Sequence, residues 1–150
     1  MRSSVRIIRF DNCLPTPWKN GAGATRELWK LEDEGGMLAR ISVAEISGDQ
    51  PFSSFPGIDR VILQLEGPPM TLNISGPDCP LIPLRPQAFA GEAAVTCQLG
   101  GQGRALDLNL MCQRGAFRPT MEPVSVAAGE GLTLGAEHGI AALLALGSCT

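Results

Sequence analysis

A chain of 150 residues can bury one core and is too short to argue for two independent domains. Its hydrophobic share of 44% and charged share of 18% suit a folded globular chain, and no apolar run approaches the roughly 18 residues that a membrane span needs. A formal charge of −3, scattered cations, no tyrosine and only five phenylalanines argue against nucleic acid, so the expected partner is a small molecule, with no nucleic acid and no membrane.

The first ten residues carry positive charge but no apolar stretch of signal-peptide length, and residues 5–10 read as a first strand. Leu14-Pro15-Thr16-Pro17 then imposes an extended entry to Pro17-Trp18-Lys19-Asn20-Gly21-Ala22-Gly23-Ala24-Thr25-Arg26-Glu27. Asn20-Gly21 suits a tight turn at positive φ, and Gly23 lets the backbone approach a neighbour closely. Lys19 and Arg26 flank this turn, where they could present two cations and several N–H groups to one anion, or could be solvated strand-end charges.

Alternation predicts a strand over 24–31, an exposed connection over 32–36 and a strand over 37–46. In the latter, Met37, Ala39, Ile41 and Val43 share one face and Arg40 and Ser42 the other. The loop over 48–60 holds Phe52, Ser53, Ser54 and Phe55 between Pro51 and Pro56, an aromatic content that predicts docking onto something. The serines read as turn caps and the phenylalanines as barrel plugs, with Phe52 and Ser53 as alternative pocket-lining residues. Arg60 is either the ion-pair partner of Asp59 or a clamp for a carboxylate, two readings that burial separates.

Strands follow over 61–66, 70–74 and 93–99, with a proline-rich edge segment over 77–86. Over 106–112, Leu106, Leu108, Leu110 and Cys112 oppose Asp107, Asn109 and Met111, and the polar set is either lumenal or solvent-facing. Residues 120–126 and 131–134 read as further short strands, and the apolar run over 140–146 as a buried strand or, over 141–146, a helix. Together these elements predict an all-β barrel or jelly roll.

Five cysteines, Cys13, Cys79, Cys97, Cys112 and Cys149, are widely spaced without a C-x-x-C pair, which fits reduced thiols in a cytoplasmic protein. The single histidine, His138, sits on a glycine-rich turn, so neither a histidine metal site nor a Ser-His-Asp triad can be assembled around it. No metal, cofactor or catalytic residue is expected.

Four ordered blocks resemble the HutD/Ves family: Pro17-Trp18-Lys19-Asn20-Gly21 with Thr25-Arg26-Glu27; Pro51-Phe52-Ser53-Ser54-Phe55-Pro56-Gly57-Ile58-Asp59-Arg60; Phe89-Ala90-Gly91-Glu92; and Asp107-Leu108-Asn109-Leu110-Met111 with Arg114-Gly115. The resemblance implies an RmlC-like cupin fold of bicupin type. Residues 1–150 would form one cupin-like unit, about 1–115 carrying the motifs and 116–150 beginning a second half that is short or incomplete. It further implies a small carboxylate ligand such as urocanate or formylglutamate, and a bacterial protein that regulates histidine utilisation or a stress response. A homodimer is one arrangement open to it, which the resemblance does not decide.

On that basis Lys19, Asn20, Gly21, Arg26, Phe52, Ser53, Arg60 and Asn109 are the expected ligand-binding residues, with Arg26 favoured as a bidentate clamp. The alternative is a metal-independent enzyme in which Glu27 or Glu92 carries a proton.

Overall fold

Twelve prolines and eighteen glycines, spread along the chain, interrupt any long helix and favour short strands joined by turns. In the computed structural model, which describes residues 4–135 and 139–147, these strands form two antiparallel sheets, and the only helical element among the described residues is a 3-10 turn at Phe10–Asn12. In chain order the strands are β1 (Thr16–Pro17), β2 (Gly23–Asp33), β3 (Gly36–Ile46), β4 (Gln50–Pro51), β5 (Ile58–Glu66), β6 (Met70–Ile74), β7 (Asp78–Pro80), β8 (Gln87–Ala90), β9 (Val95–Leu99) and β10 (Ala105–Gln113). The larger sheet has the order β1-β2-β3-β10-β5-β8 and the smaller β4-β9-β6-β7. No helix among the described residues is long and apolar enough to cross a membrane.

The sheets pack face to face through one core. Ala44, Ile46, Ile62 and Ala105 of the larger sheet meet Met70, Leu72, Val95 and Cys97 of the smaller. Directly opposed residues of an antiparallel pair lie on the same face, so the register shows which side chains point inward. One inward row runs Arg40, Met111, Arg60, Phe89; the next runs Ser42, Asn109, Ile62, Gln87; a third runs Ala44, Asp107, Gln64. The leucines of β10 pair instead with Val43 on β3 and with Val61 and Leu63 on β5, on the outer face of the sheet.

Residues 5–9 form no strand, contrary to their alternation; Val5 and Ile7 are 89% and 83% exposed and no neighbour offers a ladder. The expected strands over 120–126, 131–134 and 140–146 are likewise absent from the described residues. Val124, Leu134 and Ile140 lie exposed, and Pro119 and Pro123 withhold ladder donors. No strand forms in the described part of 116–150. His138 and Cys149 lie outside the described residues.

Candidate functional site

Above the apolar core, the inward face of the larger sheet borders a cavity of about 470 Å3. Its walls come from Pro17 at the end of β1 and the turn that follows (Trp18, Lys19, Asn20), from β2 (Thr25) and β3 (Arg40, Ser42, Ala44), from the segment Gln50, Pro51, Phe52, Ser53 and Phe55, from Arg60 on β5, and from Asp107, Asn109 and Met111 on β10. Lys19, Asn20, Pro51 and Ser53 are exposed at the rim, while Ser42, Asp107, Asn109 and Met111 are buried. The site arises from local alternation: the polar parity of β3 and that of β10 fall in register, Ser42 opposite Asn109, so both polar sets share one surface.

The turn is held by its own residues. Gly21 N–H donates to the Trp18 carbonyl at 3.0 Å with Gly21 at φ +73°, and Trp18 Nε1 donates to Thr25 Oγ1 at 2.8 Å. A Cβ at Gly23 would run into the Trp18 ring and the Glu45 carbonyl, the close approach its sequence context predicts. Asn20 Nδ2 donates to Gln50 Oε1 at 3.1 Å and Asn20 Oδ1 accepts from Ala22 N–H at 3.0 Å; Gln50 Nε2 donates to the Ala22 carbonyl at 3.2 Å. The Asn20 amide thus ties the turn to β4 while its residue lines the rim.

Arg60 is the dominant charge of the cavity. It is 6% exposed, and its guanidinium lies 4.9 Å from the Phe89 ring centroid, 5.3 Å from that of Phe55 and 5.5 Å from that of Phe52. Such a cage is favourable for a cation but supplies no neutralising charge. Arg60 Nε and Nη2 donate to Asn109 Oδ1 at 3.3 and 3.2 Å, with a long contact of 3.5 Å from Nη1 to the Ser53 carbonyl. No carboxylate among the described residues lies within ion-pair distance of it. The ion pair with Asp59 is therefore not formed; Asp59 pairs with Arg114 at 2.8 Å instead. Burial brings the Arg60 guanidinium down to about 10, against the pull of Asp107, so it remains cationic near neutrality.

Asp107, two positions along β10 from Asn109, is fully buried. Asn109 Nδ2 approaches its Oδ1 at 3.5 Å, and its Oδ2 has no hydrogen-bond partner. Burial pushes this carboxyl up to about 7, opposed by the Asn109 hydrogen bond and the Arg60 charge.

Six of the eight expected residues line the cavity: Lys19, Asn20, Phe52, Ser53, Arg60 and Asn109. Gly21 and Arg26 do not. Gly21 shapes the turn from outside the lining. Arg26 opposes Val43, so it lies on the outer face of the sheet, where Nη1 donates to the Cys13 carbonyl at 2.7 Å and the guanidinium sits 4.8 Å from the Phe10 centroid. Arg26 thus fastens the N-terminal segment, beside a hollow of only about 10 Å3. Neither expected proton carrier lines the cavity. Glu27 is exposed and pairs with Arg40 at 2.9 Å, and Glu92 pairs with Arg114, whose hydrogen bonds hold its carboxyl at about 2. Among the described residues there is no group of three metal-ligating side chains.

Arg40, Ser42, Phe55 and Asp107 also line the cavity, and Phe89 backs the Arg60 guanidinium, beyond the residues that the motifs single out. The available signal was the polar parity of two strands, Arg40-x-Ser42 and Asp107-x-Asn109, which becomes a site only when those strands pair.

The HutD family model matches residues 11–150. The chain is 37% identical over 123 residues to an uncharacterised 21.2 kDa protein in the hutC 3′ region of Pseudomonas putida, covering 80% of this chain and 64% of that protein. It is 37% identical over 99 residues to protein Ves of Citrobacter koseri, covering 65% and 52%. The structure of HutD from Pseudomonas fluorescens SBW25 superposes with a TM-score of 0.67 at 37% identity, covering 71% of this chain and 59% of that one. The chain therefore spans less than two thirds of the length of each of these relatives. Likeness at 15% identity to a Cupin_2 domain of an Enterobacter cloacae regulator, with a TM-score of 0.52 and coverage of 61% and 96%, speaks for the fold alone. With the family model spanning nearly the whole chain and the two-sheet barrel matching cupin structures, this chain belongs to the HutD family and has a cupin-type jelly-roll fold.

Proposed function

We propose that this chain binds a small carboxylate in the cavity between its sheets. The observation that carries the reading is Arg60, a buried guanidinium bordering a cavity of about 470 Å3 with no carboxylate in ion-pair contact. A cation removed from water without a counterion is costly, and an incoming carboxylate can supply both charge and hydrogen-bond acceptors. Lys19 at the rim adds positive charge, while Arg40 on the wall is already paired with Glu27. Ser53 and Asn109 offer polar contacts beside Arg60, and the Phe52 and Phe55 rings offer an apolar surface for the rest of a ligand.

Urocanate and formylglutamate are the candidate ligands, and regulation of histidine utilisation or of a stress response in the cytoplasm is the corresponding role. The HutD relative and the protein encoded beside hutC favour the first of these roles. A ligand at 100 times its Kd raises native stability by about 2.7 kcal/mol. In a chain of this size that is roughly 5–10 °C in Tm. A thermal-shift titration with both compounds tests the proposal: a saturable rise supports it, and no shift from either at millimolar concentration counts against it.

A further inference from the structure

Two buried oxygens of the larger sheet have no hydrogen-bond partner, Gln64 Oε1 and Asp107 Oδ2, and they belong to residues that face each other. Gln64 on β5 is in register with Asp107 on β10, both on the inward face, at 1% and 0% exposure. Directly opposed side chains on neighbouring strands start only about 4.5–5.5 Å apart at Cβ. The Gln64 amide nitrogen is committed to the Pro68 carbonyl at 2.7 Å, which leaves its oxygen as the free end and prevents it from turning to donate toward Asp107. Two bare, buried acceptors on directly opposed residues repel where they meet, whereas a proton on one of them converts the pair into donor and acceptor.

We propose that Asp107 is a proton-bearing positioning residue: protonated on Oδ2 and donating to Gln64 Oε1, it leaves Arg60 without an internal counterion and so keeps that charge available to the ligand. The part assigned to Arg60 rests on the carboxylate reading above; the protonation of Asp107 does not.

The surroundings agree. From β5 the one charged side chain facing Asp107 is Arg60, joined to it through Asn109 and not in direct ion-pair contact. From β3 the opposing residue is Ala44, with Arg40 two rows away and paired to Glu27. From β9 comes Cys97, whose thiol burial, aided by Asp107, pushes up to about 12, so it is neutral. Lys19 stands at the exposed rim of the cavity. Burial accordingly outweighs every attraction that would ionise Asp107 and holds the carboxyl up near 7.

When Asp107 ionises, its charge and that of Arg60 offset each other through Asn109, and an anionic ligand must compete. A bound carboxylate in turn raises the proton affinity of Asp107, so binding takes up a proton above neutrality and weakens as pH rises. The limiting slope is tenfold per pH unit.

Carbon-13 NMR of the aspartate carboxyls, with Asp107→Asn used to assign the resonance, reads the proton without any ligand. A midpoint near 7 is expected, and one in the ordinary range near 4 overturns the proposal. Calorimetry with N-formyl-L-glutamate, whose carboxyls stay ionised throughout, reads the consequence. Affinity of the unmodified chain should fall about tenfold or more between pH 6 and pH 8.5, while Asp107→Asn, which keeps an N–H toward Gln64, should bind with little pH dependence. A flat profile in the unmodified chain, or an undiminished slope in the variant, overturns the proposal. Absence of binding at both pH values, repeated with urocanate, overturns the carboxylate reading and the purpose assigned to the proton, and the NMR midpoint still decides the state of Asp107.

Discussion

Replacing Asp107 with asparagine removes one ionisable proton and preserves the shape and polarity of the side chain. The unfolded chain releases this proton near 3.8, the folded chain near 7, so the folded state is the one that holds it between those values. The corresponding stability is fully present below about pH 4, declines as pH rises and is gone above about pH 7, at about 1.4 kcal/mol per unit and about 4 kcal/mol in all. Asparagine carries no such dependence. The difference in unfolding free energy, variant minus unmodified chain, should therefore grow by up to about 3 kcal/mol between pH 5 and pH 8. Every other titrating group is shared by the two proteins and cancels. Urea unfolding at pH 5, 6, 7 and 8, with the slope m checked for constancy, measures it. Parallel pH profiles for the two proteins would refute the reasoning, because they would mean that Asp107 is ionised in both the folded and unfolded chains at pH 5.

Three further predictions follow from the placement of single residues. Arg60→Met should abolish the thermal shift from any carboxylate while leaving the ligand-free chain within about 1–2 kcal/mol of its original stability, since a desolvated charge is exchanged for an apolar side chain of similar length; a retained shift would move the site elsewhere. Arg26→Ala should leave ligand affinity unchanged and increase proteolysis within residues 4–15, because it removes the contacts to Phe10 and Cys13; a loss of affinity would contradict its outer-face position. Gly23→Ala should cost about 1–3 kcal/mol through collision with Trp18 and the Glu45 carbonyl. Gly21→Ala, where a Cβ meets no atom, should cost only the roughly 1–2 kcal/mol of left-handed backbone; equal losses by chemical unfolding would show that crowding at Gly23 is relieved.

Much of the framework was legible from local chemistry. Asn20-Gly21 specified its turn and Gly23 its close contact, because both are backbone demands met within a few residues. Alternation placed the strands over 70–74 and 106–112, and the ordered motifs pointed to the family. It also suggested strands over 5–10 and 120–126 that do not form, since a ladder needs a partner and alternation carries no information about one. Arg26 shows the same limit. It sits in the most distinctive motif, yet one residue of parity puts it opposite Val43 and outside the barrel.

Local chemistry supplies the repertoire: short strands, one glycine-shaped turn, a family, and a polar parity on each of two strands. Which face of those strands lies inside is settled only when they pair and pack. Alternation separates the leucines of β10 from Asp107 and Asn109, but it has no sign. Pairing with β3 and β5 and closure by the second sheet gave the polar set to the interior. The same pairing brought Arg60 to Asn109 across 49 residues of chain and set Asp107 opposite Gln64. Burial, a property of the assembled sheets, is what turns those ordinary polar residues into a charge without a counterion and an acid raised to about 7.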